Sequence, residues 1–110
     1  MPKVFVASLP TRWDAATKKQ VPSLDLNPAM EFGELVILSE GRKTILEMDE
    51  TLEAVCDRAG EFKDGDYLLM IGDPIINAAF YSAIENLDGV ADINCLRWVR
   101  KDRIYEVITT

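Results

Sequence analysis

The chain reads as a single small α/β domain with a mixed, mostly parallel sheet: a β-α-β-α-β-β core after an N-terminal strand, closed by a C-terminal β-hairpin. Three observations predict this. The runs "ELVILS" (34–39) and "YLLMIG" (67–72) are continuously apolar, as in strands covered on both faces. Each is followed by a stretch with apolar residues at helical spacing, the crossover that parallel strands need. The last stretch, "ADINCLRWVRKDRIYEVITT", folds onto itself as chemically matched cross-strand pairs. The 110 residues suit one domain, in which 1–33 holds the first strand and a turn-rich insert and 34–110 the core.

Element by element, "KVFVASL" (3–9) has strand composition with partial alternation, and Pro10 ends it. The polar stretch that follows contains Pro22 and Pro28. Asn27 as N-cap and Pro28 at the first helical position predict a short helix to about Phe32, which Gly33 stops. After "ELVILS" and the loop "EGRKT", Leu52, Val55, Cys56, Ala59 and Phe62 predict a helix from an Asp49 cap, with Glu50 and Glu53 at the positive end of its dipole. "KDGD" leads to the next strand. Ile76, Phe80, Ala83, Ile84 and Leu87 form the apolar stripe of a second helix, with Asn77, Glu85 and Asn86 off it and Gly89 beyond its end. In the closing hairpin, a Lys101-Asp102 turn sets Val99 opposite Ile104, Trp98 opposite Tyr105, Arg97 opposite Glu106 and Leu96 opposite Val107. It also sets Arg100 against Arg103, an unfavourable like-charge pair. Lys-Asp is not the favoured pair for a two-residue turn, so a longer loop with a bulge is the alternative.

Composition excludes several chemistries. At 48% apolar and 28% charged, the chain buries a core, and its apolar runs fall far short of the about 20 residues of a membrane span. No targeting segment is visible. With no histidine, Ser-His and Cys-His hydrolases and His-liganded zinc are ruled out, and Cys56 and Cys95 alone do not complete a structural zinc site. Both cysteines read as buried free thiols in a reducing compartment. The carboxylates of "EMDE" (47–50) and of Asp64 and Asp66 read as dipole partners and solvated faces, so no metal and no cofactor is expected. The net charge of −7 disfavours nucleic acid, yet it is polarised: residues 1–94 carry 8 basic and 17 acidic side chains, and 95–110 carry 4 and 2.

Two constellations remain. Gly72-Asp73-Pro74 lies at the carboxyl end of a strand, where open parallel sheets bind ligands, and at a helix N-terminus, which favours anions. Glu40 joins it if the two strands are neighbours. The same residues also make a self-sufficient helix start, with Asp73 as cap and Pro74 at the first position. The absence of GxGxxG and of a Walker lysine favours that second reading. The other constellation is Arg97, Trp98, Arg100, Lys101, Arg103 and Tyr105. Arginines interleaved with aromatics suit a protein interface or the backbone and bases of a single strand; equally, they suit a charged, protected sheet edge.

The segments holding Pro22, Asp25, Leu26, Pro28 and Ala29, then Gly33, Glu34 and Leu35, then Tyr67, Leu68, Leu69, Gly72, Asp73 and Pro74, and finally Trp98, carry a resemblance. In them the chain resembles a family of small uncharacterised proteins of tailed bacteriophages, cyanophage-like viruses included. The resemblance implies a viral accessory protein and brings no catalytic residues. The expectation is a non-enzymatic protein of the infected bacterial cytoplasm that binds or regulates a protein partner, or associates with itself. The alternatives are a nucleotide or phosphate-metabolite binder at Asp73 and a nucleic-acid module at the hairpin.

Overall fold

The computed structural model of the protein describes residues 1–110. In chain order its elements are β1 (Lys3–Val6), β2 (Thr11–Asp14), β3 (Lys19–Pro22), α1 (Asn27–Met30), β4 (Glu34–Ile37), α2 (Ile45–Asp57), β5 (Tyr67–Leu69), α3 (Pro74–Glu85), β6 (Asn94–Val99) and β7 (Ile104–Thr109), with a 3₁₀ turn at Ala59–Glu61. The main sheet has five strands in the order β4-β1-β5-β6-β7. All neighbours are parallel except β6 and β7, as the fold class predicted. β2 and β3 form a separate two-stranded hairpin.

The alternation of side chains along a strand divides the core in two. Phe5, Ala7, Leu68 and Cys95 face α2 and α3, which contribute Val55, Ile76, Phe80 and Ile84, with Phe62 from the segment between α2 and β5. Phe5 sits at the centre, its ring 5.3 Å from that of Phe62 and 5.8 Å from that of Phe80. Val4, Val6, Leu69, Leu96 and Tyr105 face the other way and are covered by Ala29 of α1 with Leu26 and Phe32 beside it. Complete burial of Val4, Phe5 and Val6, and of Ala7 just after them, on both faces makes β1 the spine of the molecule.

Several elements differ from expectation. β4 is an edge strand and only half-buried, because nothing pairs beyond it and β1 occupies the doubly covered position. The insert holds the β2–β3 hairpin. Its strands are short, polar and largely exposed, so they carry no apolar signal; Asp14 organises the turn by accepting from the Ala16 amide and the Thr17 hydroxyl. Helix α1 starts one residue earlier than an Asn27 cap requires, with Leu26 at the cap position, while Asp25 accepts from the Asn27 amide at 2.9 Å.

Helix α2 also begins earlier than expected, at a Thr44 cap. The Glu47 carboxylate there accepts from the Thr44 amide at 3.0 Å and from its hydroxyl at 2.9 Å, so Asp49 lies inside the helix. The cross-strand pairs of the final hairpin fall as predicted from Leu96–Val107 to Val99–Ile104, but Arg100–Arg103 is a four-residue turn outside the ladder. Arg103 takes a positive φ of 53°, which removes the direct opposition of the two arginines.

The two bonds from Thr44 hold the Glu47 carboxyl below its ordinary range. Their support is therefore present at neutral pH and is lost as acid protonates Glu47. Thr44→Ala is expected to lower the urea midpoint and Asp49→Ala to leave it unchanged. The deficit of Glu47→Ala relative to wild type should shrink on acidification.

Candidate functional site

The sheet changes direction between β1 and β5. From β1 the chain passes to β4 over the α1 face, and from β5 it passes to β6 over the α3 face, which makes this pair the topological switch point. Ser8, Pro10, Thr11, Gly41, Arg42, Gly72 and Asp73 line a crevice of about 250 Å³ at that end. Gly72 has φ +78°, and a Cβ there would stand 2.2 Å from the Ser8 carbonyl oxygen, so only glycine lets the two strand ends meet.

The polar groups of this turn are engaged within the chain. Asp73 Oδ1 accepts from the Ile75 amide at 2.8 Å, and the Asp73 amide donates to Ser8 Oγ at 3.0 Å. Asn77, expected off the buried stripe, is buried: its Nδ2 donates to the carbonyls of Ile71 at 2.6 Å and Asp73 at 2.9 Å. Asp73 is thus the N-cap of α3, with Pro74 at the helix start. Glu40 does not share the crevice: β1 lies between β4 and β5, and Glu40 bridges to Leu9 instead. Ser8 and Arg42, which do share it, come from a strand end and a loop whose approach only the strand order reveals.

The basic set of the hairpin divides between the two faces of the sheet. Arg97 points to the α3 side, where its Nε donates to Glu106 at 2.7 Å in an ion pair. Trp98, Arg100, Arg103 and Tyr105 line a cleft of about 670 Å³ on the α1 side, closed by Leu24, Asp25, Pro28 and Ile71. Lys101 is exposed at the turn and outside the cleft. Neither Arg100 nor Arg103 forms an ion pair within the chain. The Trp98 and Tyr105 rings are 4.9 Å apart, with Trp98 39% exposed at the cleft and Tyr105 buried.

The Tyr105 hydroxyl is buried without a hydrogen-bond partner, and burial, followed by the charge of Asp25, pushes its pKa up. The cleft wall of Leu24, Asp25 and Pro28 was missed as a site by residue-type reasoning. Its signal lay in the Pro22–Ala29 segment that carries part of the family-like pattern.

Elsewhere, Asp66 is buried and its carboxylate accepts from the Lys3 and Lys63 amides, both at 2.9 Å, joining the start of β1 to the turn before β5. No group of three or more Cys, Asp or Glu side chains is gathered in a way that suits a metal ion. Cys95 is buried and its thiol pKa is raised by burial, whereas Cys56 is half-buried rather than enclosed, its Sγ donating to the Ala79 carbonyl at 3.6 Å. No helix is long and apolar enough to cross a membrane.

The architecture is that of a small doubly wound α/β domain, extended at one edge by an antiparallel hairpin whose arginines stand beside an aromatic pair. The chain belongs to the Phage Pam3 gp32-like protein family, which matches residues 2–110, so the resemblance to small phage proteins holds across almost its whole length. No curated protein and no solved structure matches it.

Gly72→Ala is expected to cost about 2 kcal/mol or more in urea unfolding, from the positive φ and the backbone clash together. Asp73→Ala should cost about 1 kcal/mol through the lost cap, while Asp73→Asn keeps most of it.

Proposed function

We propose that this phage protein is a non-enzymatic accessory factor that binds a protein partner in the cytoplasm of the infected bacterium, through the cleft between the final hairpin and the α1 segment. The observation that carries this reading is the pair of unpaired arginines, Arg100 and Arg103, beside half-exposed Trp98 on a chain of net charge −7. Free guanidinium groups next to an aromatic face suit a carboxylate-bearing segment that also carries an apolar or aromatic side chain. Trp, Tyr and Arg are the residue types that dominate the energetics of such contacts. The buried Tyr105 hydroxyl adds a donor without an acceptor at the same place.

A single-stranded nucleic acid would use the same groups. Arg97 is committed to Glu106 on the opposite face, however, and the body of the chain is acidic.

Affinity capture from infected-cell lysate tests the reading, together with Trp98 fluorescence titrated with acidic peptides. Arg100→Glu with Arg103→Glu is expected to abolish capture and to weaken peptide binding at least about tenfold, a loss of about 1.4 kcal/mol. The melting temperature should stay close to wild type. Capture that survives the double reversal overturns the proposal, as does tight salt-sensitive binding to single strands with no captured protein.

A second reading is supported by Arg42, which brings a cation to the switch-point crevice beside Ser8 and Asp73. A nucleotide or phosphate metabolite held there at 100 times its dissociation constant would add about 2.7 kcal/mol of stability. Thermal-shift measurements with nucleotides and magnesium decide it: a rise that is lost in Arg42→Ala supports a ligand, and a flat response removes it.

A further inference from the structure

The β7 edge of the main sheet carries an inference of its own, which shares with the cleft the basic turn at 100–103. β7 is the last strand, and nothing in the chain pairs with its outer side. It carries few of the usual protections of an edge: it contains no proline, no lysine and no glycine, its one charge, Glu106, is paired with Arg97, and it pairs with β6 across six residues without a bulge. Its apolar side chains are half in water, with Ile104 52%, Val107 44% and Ile108 37% exposed.

The hydrogen-bond phase of this edge follows from one pair. Ile93 and Thr110 exchange both backbone bonds, each at 3.0 Å. Antiparallel pairs alternate, so Cys95–Ile108, Arg97–Glu106 and Val99–Ile104 are the bonded pairs inside the hairpin. The amides and carbonyls of Tyr105, Val107 and Thr109 therefore point outward.

We propose that β7 pairs antiparallel with β7 of a second copy of this chain, Val107 opposite Val107, which joins two sheets into one continuous sheet. In that register Tyr105 of each copy faces Thr109 of the other, so every outward backbone group of the strand finds a partner. Glu106 then faces Ile108 of the other copy, avoiding a Glu106–Glu106 opposition. Charge favours a second copy as the occupant. Ile104 of one copy comes level with Thr110 and Ile93 of the other, which brings the turn at 100–103, basic in balance, to the end where exposed Asp88 and Asp92 stand. The basic tip of each chain meets an acidic corner of its neighbour.

Proline scanning of the edge gives a sharp test, because proline removes a single amide. Light scattering over a dilution series is expected to show a dimer for the wild type and for Val107→Ala. It should show a folded monomer for Val107→Pro, whose missing amide faces outward. A wild type that stays monomeric throughout overturns the proposal, and so does a Val107→Pro variant that still dimerises. Hydrogen exchange on the unmodified chain gives a readout that no variant's folding can confuse. The Tyr105, Val107 and Thr109 amides should exchange at least about tenfold more slowly at high concentration than at low. Exchange that is equally fast at both concentrations overturns the pairing.

Discussion

Gly72 lies so close to the Ser8 carbonyl that a single added carbon would stand 2.2 Å from the oxygen, and much of the molecule follows from that contact. It sets the distance between the ends of β1 and β5, the two strands at the centre of the double winding. With the backbones this close, Ser8 Oγ accepts the Asp73 amide and Asn77 ties the Ile71 and Asp73 carbonyls from inside the helix. α3 therefore leaves the sheet in one direction only, and Phe80 reaches Phe5. The turn that most resembles a ligand loop owes its shape to these internal bonds, with one carboxylate oxygen of Asp73 bonded to its own helix.

The opposite side of the sheet is built differently. α2 and α3 cover one face of the sheet as far as Cys95 of β6, and the short α1 segment covers the other as far as Leu96 of β6 and Tyr105 of β7. Period-two alternation then sends neighbouring residues to environments of opposite character. Arg97 meets Glu106 on the α3 side, while Trp98 turns to the α1 side and packs against Tyr105 with the ring planes inclined at 59°. The two buried side-chain atoms without partners are Asn77 Oδ1 and Tyr105 Oη; Asn77 lines a cleft of about 630 Å³ between α3 and the β6–β7 hairpin, and Tyr105 lines the cleft beside Trp98 on the other side of the sheet. Unpaired buried polar atoms cost about 1–3 kcal/mol each.

Strands and helices with strong periodicity were legible: β5, α3 and the register of β6 with β7 follow from apolar spacing and from pairing chemistry. The β2–β3 hairpin was not, because its stability comes from local bonds to Asp14 and leaves no apolar trace. The start of α2 was misplaced because Asp49 and Thr44 are both acceptable caps, and the choice fell to Glu47, which reaches back only to Thr44.

The amino-acid sequence by itself determined the α/β class, the capping role of Asp73 and the cross-strand partners of the hairpin, since each depends on residues close together along the chain or on a simple period. Only the tertiary structure decided that β1 separates Glu40 from Asp73, that Arg97 parts company with Arg100 and Arg103, and that Asp25 and Pro28 wall the cleft beside Trp98. Those outcomes depend on strand order and on which face of the sheet each side chain takes, and both are settled by how distant segments share one core.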